Sequence, residues 1–309
     1  MKLKNIIRTC HWEVTKECNL NCLHCISSVG NKRELNEKSA LKAIDVLRDW
    51  GCKEIYFTGG EPLVRKDIFN VFKKAKENKM KVGLLSNGTL ISNKNIKQIK
   101  NYTDEIGISL EGASAKINDS IRGKRTFGKI INAINLIKKH KIPITLYITL
   151  CKMNINDFEN VLRMARSLKV NNIRVNEISL RGRACKNKKV LGFNKKEKLN
   201  LKGYLLNVLK KFNYQDKDFL FYDSCEIDDK NIFISSLGYI YPCIEIYQRK
   251  SSCHLGNILK VNIEKFKFQR NRFMKLRPRN CPYQFMIKND LALCLNNPSV
   301  KCELSLVNL

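Results

Sequence analysis

A repeated alternation of strand-like and helix-like stretches constrains this chain more than any other feature. Strand character is predicted over residues 11–15, 54–57, 81–85, 105–110, 142–150 and 172–178. Helical spacing fills 37–50, with Leu41, Ile44 and Leu47 on one face, and also 67–79, 126–140 and 155–168. About six strand–helix units in succession predict a parallel sheet with right-handed crossovers, closed or partly closed into a barrel. In such folds chemistry gathers at the C-terminal ends of the strands. The cysteine loop and the glycine motifs of this chain all fall at those ends.

The cysteine loop is Cys18-Asn-Leu-Asn-Cys22-Leu-His-Cys25. Three thiols at this spacing can hold three corners of an iron–sulfur cube and leave one iron open to a ligand. Zinc with a fourth ligand such as His11 or His24 is the competing reading. The chain has thirteen cysteines in 309 residues. Their odd number and tight local spacing point to metal ligation in a reducing compartment, the cytoplasm, rather than to a disulfide framework. No apolar run approaches the ~18–20 residues of a membrane span, and the N-terminus lacks a secretory signal pattern. The formal charge of +30 invites a nucleic-acid reading. Lysine is spread along the whole chain, however, without a basic tail or an RNA-recognition signature. The charge is better suited to attracting acidic substrates or peptides.

Thr58-Gly-Gly-Glu-Pro62 follows the second strand. Glycine backbone can approach a ligand closely, and Glu61 offers an acceptor suited to a cationic amino group. With these residues the sequence resembles the radical S-adenosylmethionine superfamily over roughly residues 10–185. The resemblance implies a [4Fe–4S] cluster on Cys18, Cys22 and Cys25, and S-adenosylmethionine contacts at Gly59, Gly60, Glu61 and Pro62. His24 stands where the family usually has an aromatic residue near the adenine. Ser86-Asn87-Gly88 resembles the turn after the third strand. Ser109-Leu-Glu111-Gly112 resembles the S-x-D-G motif, with Glu in place of Asp. Asn118-Asp-Ser-Ile-Arg122-Gly resembles an H-D-x-x-R-G segment that has lost its His, and Arg122 is carried over as a cofactor contact. Residues 180–184, Leu-Arg-Gly-Arg-Ala, look like a turn of peptide-modifying members.

The C-terminal third carries six cysteines. The segment from Cys225 through Gly238 to Cys243 reads as a hairpin turning at Gly238. With Cys281-Pro282 it resembles the SPASM/Twitch extension of the same superfamily, although Gln284 stands where a second cysteine of the dense run would be. The resemblance implies one auxiliary [4Fe–4S] cluster on Cys225, Cys243, Cys281 and Cys294, with Cys302 or Cys253 as alternative fourth ligands. The expected architecture is a partial (β/α)6 TIM-like barrel over 1–190, a basic connector and helix over 191–220, and a small cysteine-rich α+β SPASM/Twitch-like domain over 221–309. Cys52 and Cys151 read as core residues.

The implied activity is reductive cleavage of S-adenosylmethionine to a 5′-deoxyadenosyl radical, which abstracts hydrogen from a substrate. A flavodoxin- or ferredoxin-type protein is the implied electron donor. The leading expectation for the substrate is a precursor peptide or a protein side chain. With only about ten residues before the first strand, no fused leader-recognition domain is expected. The alternatives are a dehydrogenase or cofactor-biosynthesis enzyme acting on a small molecule and, more remotely, an iron–sulfur or zinc nucleic-acid-binding regulator.

Overall fold

The computed structural model describes residues 7–26, 33–212, 230–249 and 254–276. Eight strands form one sheet: β1 Thr9–Thr15, β2 Glu54–Gly59, β3 Lys81–Ser86, β4 Glu105–Ser109, β5 Ile144–Leu150, β6 Asn172–Glu177, β7 Asn231–Ile234 and β8 Ile240–Tyr241. Their order is β6-β5-β4-β3-β2-β1-β7-β8. Every neighbouring pair is parallel except β7–β8, which is antiparallel. The helices are α1 Glu37–Asp49, α2 Ile68–Glu77, α3 Ile96–Tyr102, α4 Ala115–Arg122, α5 Thr126–Lys139, α6 Phe158–Ser167, α7 Gly182–Lys186, α8 Lys188–Leu191, α9 Lys195–Lys211, α10 Ile244–Arg249 and α11 Ile263–Leu276. None of the described helices is long and apolar enough to cross a membrane.

All six expected parallel strands are present, within a few residues of their expected bounds. The connections hold more helix than the sequence shows. The stretch after β3 contains α3, and the stretch after β4 contains α4 ahead of α5. Gly123, at φ +112°, ends α4 and separates it from α5. The expected hairpin is β7–β8, with Gly238 at φ +81° in its turn. β7 also pairs in parallel with β1, so residues 231–241 extend the sheet built by the first two hundred residues.

Alternation along the strands sorts the side chains onto two faces. Cys10, Trp12, Ile55, Phe57, Val82, Leu84, Ile106, Ile108, Leu146 and Ile148 are all fully or almost fully buried and form the main core with the apolar stripes of α1, α2, α5 and α6. His11, Glu13, Tyr56, Thr58, Gly83, Gly107, Ser109, Tyr147, Thr149, Arg174 and Asn176 occupy the alternate positions. The sheet therefore has an apolar helix-covered face and a polar face, and the motif-bearing loops leave from the ends of its strands.

Candidate active site

β1 reaches the cysteine loop through a register shift against β2 between Glu13 and Thr15. A bulge of this kind re-aims a strand at its end. The carbonyl of Val14, inside the shift, accepts a 3.0 Å hydrogen bond from Nη1 of buried Arg65, whose Nη2 pairs with Asp67 at 2.7 Å. Beyond it the loop lies on the glycine turn. Gly60 N–H donates to the Thr15 carbonyl at 2.9 Å, and Glu61 N–H to the Glu17 carbonyl at 2.8 Å. A Cβ on Gly59 would come within 2.1 Å of the Thr15 oxygen, and one on Gly60 within 2.1 Å of the Glu17 oxygen. The close approach that requires Gly59 and Gly60 is thus made by the cysteine loop itself.

Pro62 opens a short 3₁₀ turn, Pro62–Val64, capped by the Glu61 side chain. The Glu61 carboxylate is fully buried. It accepts from Leu63 N–H at 3.2 Å, Ser86 Oγ at 2.9 Å and Asn87 N–H at 2.7 Å, so it ties the turn after β2 to the turn after β3. Burial raises its pKa against the pull of those donors. Asn87 continues the link toward the loop: Nδ2 lies 2.9 Å from Asn19 Oδ1 and 3.8 Å from Cys18 Sγ.

Glu111 organises the opposite side. Its Oε1 is 2.9 Å from Arg122 Nη1 and 3.2 Å from His24 Nε2, and its Oε2 accepts from Thr149 N–H at 2.8 Å. Burial acts to raise this carboxyl, but His24, Arg122 and Thr149 outweigh it and hold the group below its ordinary range. Asn118, standing where the resemblance expects His, accepts from Glu111 N–H at 3.1 Å, and Asn154 Nδ2 holds the Glu111 carbonyl at 2.9 Å. Ser109 ends β4, half-buried, two residues before Glu111. The Glu111 side chain thus links Arg122 to His24 of the cysteine loop.

The loop is also clasped by α4 and α7. Leu23 N–H donates to the Ile121 carbonyl at 2.8 Å, and the Cys22 thiol to the Arg122 carbonyl at 3.5 Å. Arg183 N–H donates to the Cys25 carbonyl at 2.9 Å, and its Nε to the Cys22 carbonyl at 2.8 Å. Gly182, at φ +53°, lies so close that a Cβ would be 2.8 Å from the Cys25 and Ile26 oxygens. The turn at 180–184 is thus part of the loop's seat.

Cys18 is exposed, Cys22 buried and Cys25 between the two, and none is in a disulfide. Burial pushes the Cys22 thiol up to about 11 against the attraction of Arg122, with Cys25 and Cys18 adding to the rise. The three thiols thus sense one another's charge, although among the described residues no three metal-binding side chains are already gathered as a ligand set. A thiol-only donor set at a strand end suits an iron–sulfur cluster. A buried Nδ1 of His24 without a hydrogen-bond partner beside it suits a polar ligand there. Of the auxiliary set, Cys243 follows β8 and is half-buried, while Cys225, Cys281 and Cys294, with Cys253 and Cys302, lie outside the described residues. Cys52 and Cys151 are buried, as expected of core residues. Arg65 and Asn154 hold the site from positions that no motif pointed to; each acts through a backbone carbonyl distant in sequence, a contact that leaves no local pattern, whereas Arg183 belongs to the 180–184 turn already singled out.

Residues 12–165 match the model of the radical SAM superfamily. Among relatives, the Fe-coproporphyrin III synthase of Methanosarcina barkeri is 29% identical over 227 residues, covering 68% of this chain and 57% of that protein. The mycofactocin maturase MftC of Mycolicibacterium smegmatis is 30% identical over 160 residues, covering 50% of this chain and 40% of that protein. The chain thus spans about half the length of these relatives. Among solved structures, SuiB of Streptococcus suis bound to S-adenosylmethionine superposes with a TM-score of 0.72 at 16% identity, over 89% of this chain and 69% of SuiB. An anSMEcpe structure with bound AdoMet and a peptide gives 0.68 at 17% identity, over 84% of this chain and 79% of that one.

Proposed function

We propose that this chain, which carries a radical SAM domain across residues 12–165, is an enzyme that modifies a peptide or protein side chain. One observation carries the reading: the cysteine loop, the 59–62 turn, the 86–88 turn and the His24–Glu111–Arg122 group meet at the C-terminal ends of adjacent strands. Cys18, Cys22 and Cys25 would hold the [4Fe–4S] cluster that the superfamily implies. His24, Gly59, Gly60, Glu61, Pro62, Ser86, Asn87, Ser109, Glu111 and Arg122 would form the S-adenosylmethionine site around it. When bound, these groups supply a 5′-deoxyadenosyl radical for hydrogen abstraction. The protein's share is to seat the loop on Gly59 and Gly60, fix the neighbouring turns through Glu61, and hold His24 through Glu111.

The partial (β/α)6 barrel belongs to the same reading. In a flat sheet β6 and β1, five strand spacings apart, would stand about 24 Å from each other. Yet the pKa of His11 on β1 is lowered by burial and, beside it, by the charge of Arg174 on β6. Arg181, after β6, also donates to Gln248 Oε1 of α10 at 3.3 Å. The charge effect and the hydrogen bond both support a curled sheet. Residues 221–309 would carry one auxiliary [4Fe–4S] cluster on Cys225, Cys243, Cys281 and Cys294, with 191–220 as connector, and β7–β8 would anchor that domain on the sheet.

A peptide substrate is supported by the maturase among the relatives and by a SuiB structure with its precursor peptide SuiA. A flavodoxin- or ferredoxin-type donor would deliver the electron. A tetrapyrrole is the second reading, favoured by the Fe-coproporphyrin III synthase and by an AdoMet-dependent heme synthase of Methanosarcina barkeri at 28% identity. The test is iron per chain after anaerobic reconstitution, for the native protein and for the Cys18→Ala/Cys22→Ala/Cys25→Ala variant. Two cubane clusters give about eight irons falling to about four. About four falling to none removes the auxiliary cluster, and zinc in place of iron overturns the radical reading.

A further inference from the structure

The polar face of the sheet carries a positive charge that no carboxylate among the described residues balances. Arg174 of β6 stands in register with Tyr147 of β5, and its guanidinium lies over that ring at 5.8 Å. Its charge is felt across the sheet, since together with burial it lowers the pKa of His11 to about 4. Carboxylates on the sheet's strands and the loops that follow them pair elsewhere. Glu105 pairs with Lys81 at 2.9 Å, Glu177 with Lys198 at 2.6 Å, and Glu111 with Arg122 and His24. Glu13 accepts from Tyr247 Oη at 2.5 Å. No carboxylate among the described residues pairs with half-buried Arg174.

Other features of the face fit an occupant. Gly107 leaves room for the Tyr147 ring: a Cβ there would lie 2.5 Å from it. Gly83 does the same for Tyr56, where a Cβ would lie 2.3 Å from the ring. Tyr56 stacks on His11 at 5.0 Å and 14°. Two flat pairs, His11–Tyr56 and Tyr147–Arg174, therefore face the same space. Two residues beyond Arg174, toward the end of β6 that faces the cysteine loop, Asn176 has a buried Oδ1 with no hydrogen-bond partner. Side chains at i and i+2 of a strand share a face, with α-carbons about 7 Å apart. A guanidinium without a counter-ion and an amide oxygen without a donor are both costly when desolvated, and one ligand can satisfy both.

We propose that Arg174 and Asn176 form a subsite on the inner face of the sheet for a substrate carboxylate, with a hydrogen-bond donor of the same substrate nearer the cysteine loop. For a peptide this is an acidic side chain or a free C-terminus together with a backbone N–H. The proposal rests on the proposed peptide-modifying radical SAM function, with the substrate lying on this face below the cysteine loop, and it deepens that reading by naming the group recognised. Arg174 binds the carboxylate through two parallel N–H donors, and the neutral His11 ring adds no competing charge.

The test needs no turnover, so its failure is separable from failure of the iron measurement. The reconstituted protein, with ¹³C-labelled histidine, is titrated with phenylacetate and, separately, with phenylacetamide. The chain has four histidines, and a His11→Gln variant assigns the reporter. The His11 ring resonance shifts with the acid and not with the amide, while His140 and His254 report any general binding to the basic surface. Arg174→Gln weakens the response at least tenfold, and Arg174→Lys weakens it less. An equal response to acid and amide overturns the proposal, as does an unmoved His11 or an unchanged response in Arg174→Gln. Should that variant fail to fold, the acid–amide comparison on the unaltered protein decides alone.

Discussion

The two faces of the sheet are made of the same strands and do opposite work. Toward the helices, alternate residues are Ile, Leu, Val, Phe and Trp, packed without exposure. Toward the other side, the intervening residues are His, Glu, Tyr, Arg, Asn and Gly, held by stacking and by hydrogen bonds across strands. The first face is interchangeable in kind, because burial is non-directional and any well-shaped apolar residue serves it. The second is specific in kind, because each polar group there needs a partner or a ligand. Stability thus resides mainly in the helix-facing half of each strand, and the proposed chemistry in the other half and the loops beyond.

The largest expected effect tests the first half of that contrast. Phe57 is fully buried on β2, with ring centroids 5.0 Å from Phe72 and 6.0 Å from Trp12. Phe57→Ala is expected to destabilise the protein by about 3–5 kcal/mol in urea unfolding. A loss below about 1 kcal/mol would mean that the helix-covered face does not carry the stability assigned to it.

The next effect tests the cost of the polar face. Burial and the Arg174 charge lower the His11 pKa to about 4, below the ordinary value near 6.5. The unfolded chain therefore binds more protons than the folded one between those two values. His11 lowers stability progressively as pH falls from about 6.5 to about 4, by up to roughly 3 kcal/mol, and has no such effect above that window. The native protein should lose stability faster than a His11→Phe variant between pH 7 and pH 5, by at most about 1.4 kcal/mol per pH unit. Parallel curves for the two proteins would show that His11 is as freely protonated in the fold as outside it.

The two faces also differ in how far the sequence discloses them. Alternation of apolar residues located β1 to β6, six of the seven parallel strands, because a residue's burial is written in its own type and that of its neighbours two positions away. The cysteine spacing and the 58–62, 86–88 and 109–112 motifs placed their residues at strand ends for the same local reason. Contacts made between distant segments stayed hidden. Nothing near Arg65 announces that it takes the Val14 carbonyl, and nothing near Asn231 announces a strand that will pair with β1. The role of Gly59 and Gly60 was legible only in part: close approach was implied, but the partner is the chain's own loop. Arg174 carried no motif, and its interest arises only once Tyr147 and His11 are brought to it.

The smallest effect distinguishes glycines that face backbone from glycines that face side chains. At Gly60 a Cβ would meet the Glu17 carbonyl, which cannot move without lifting the cysteine loop. At Gly107 it would meet the Tyr147 ring and Leu85 Cδ2, at 2.5 and 2.6 Å, both of them side-chain groups able to rotate. Gly107→Ala should therefore cost only about 1–3 kcal/mol, a typical price of overpacking, and leave reconstituted iron content unchanged. Tyr147→Leu should relieve part of that cost in the double variant, because the ring is one of the two side chains the new methyl group strikes. It should do so while weakening the hold on Arg174, which would lose the aromatic surface it rests on. Stability and iron content measured across this four-protein cycle separate the two outcomes. Strain that persists without the Tyr147 ring would place the conflict at Leu85 or in the backbone of β4, and the polar face would then be as rigidly packed as the apolar one.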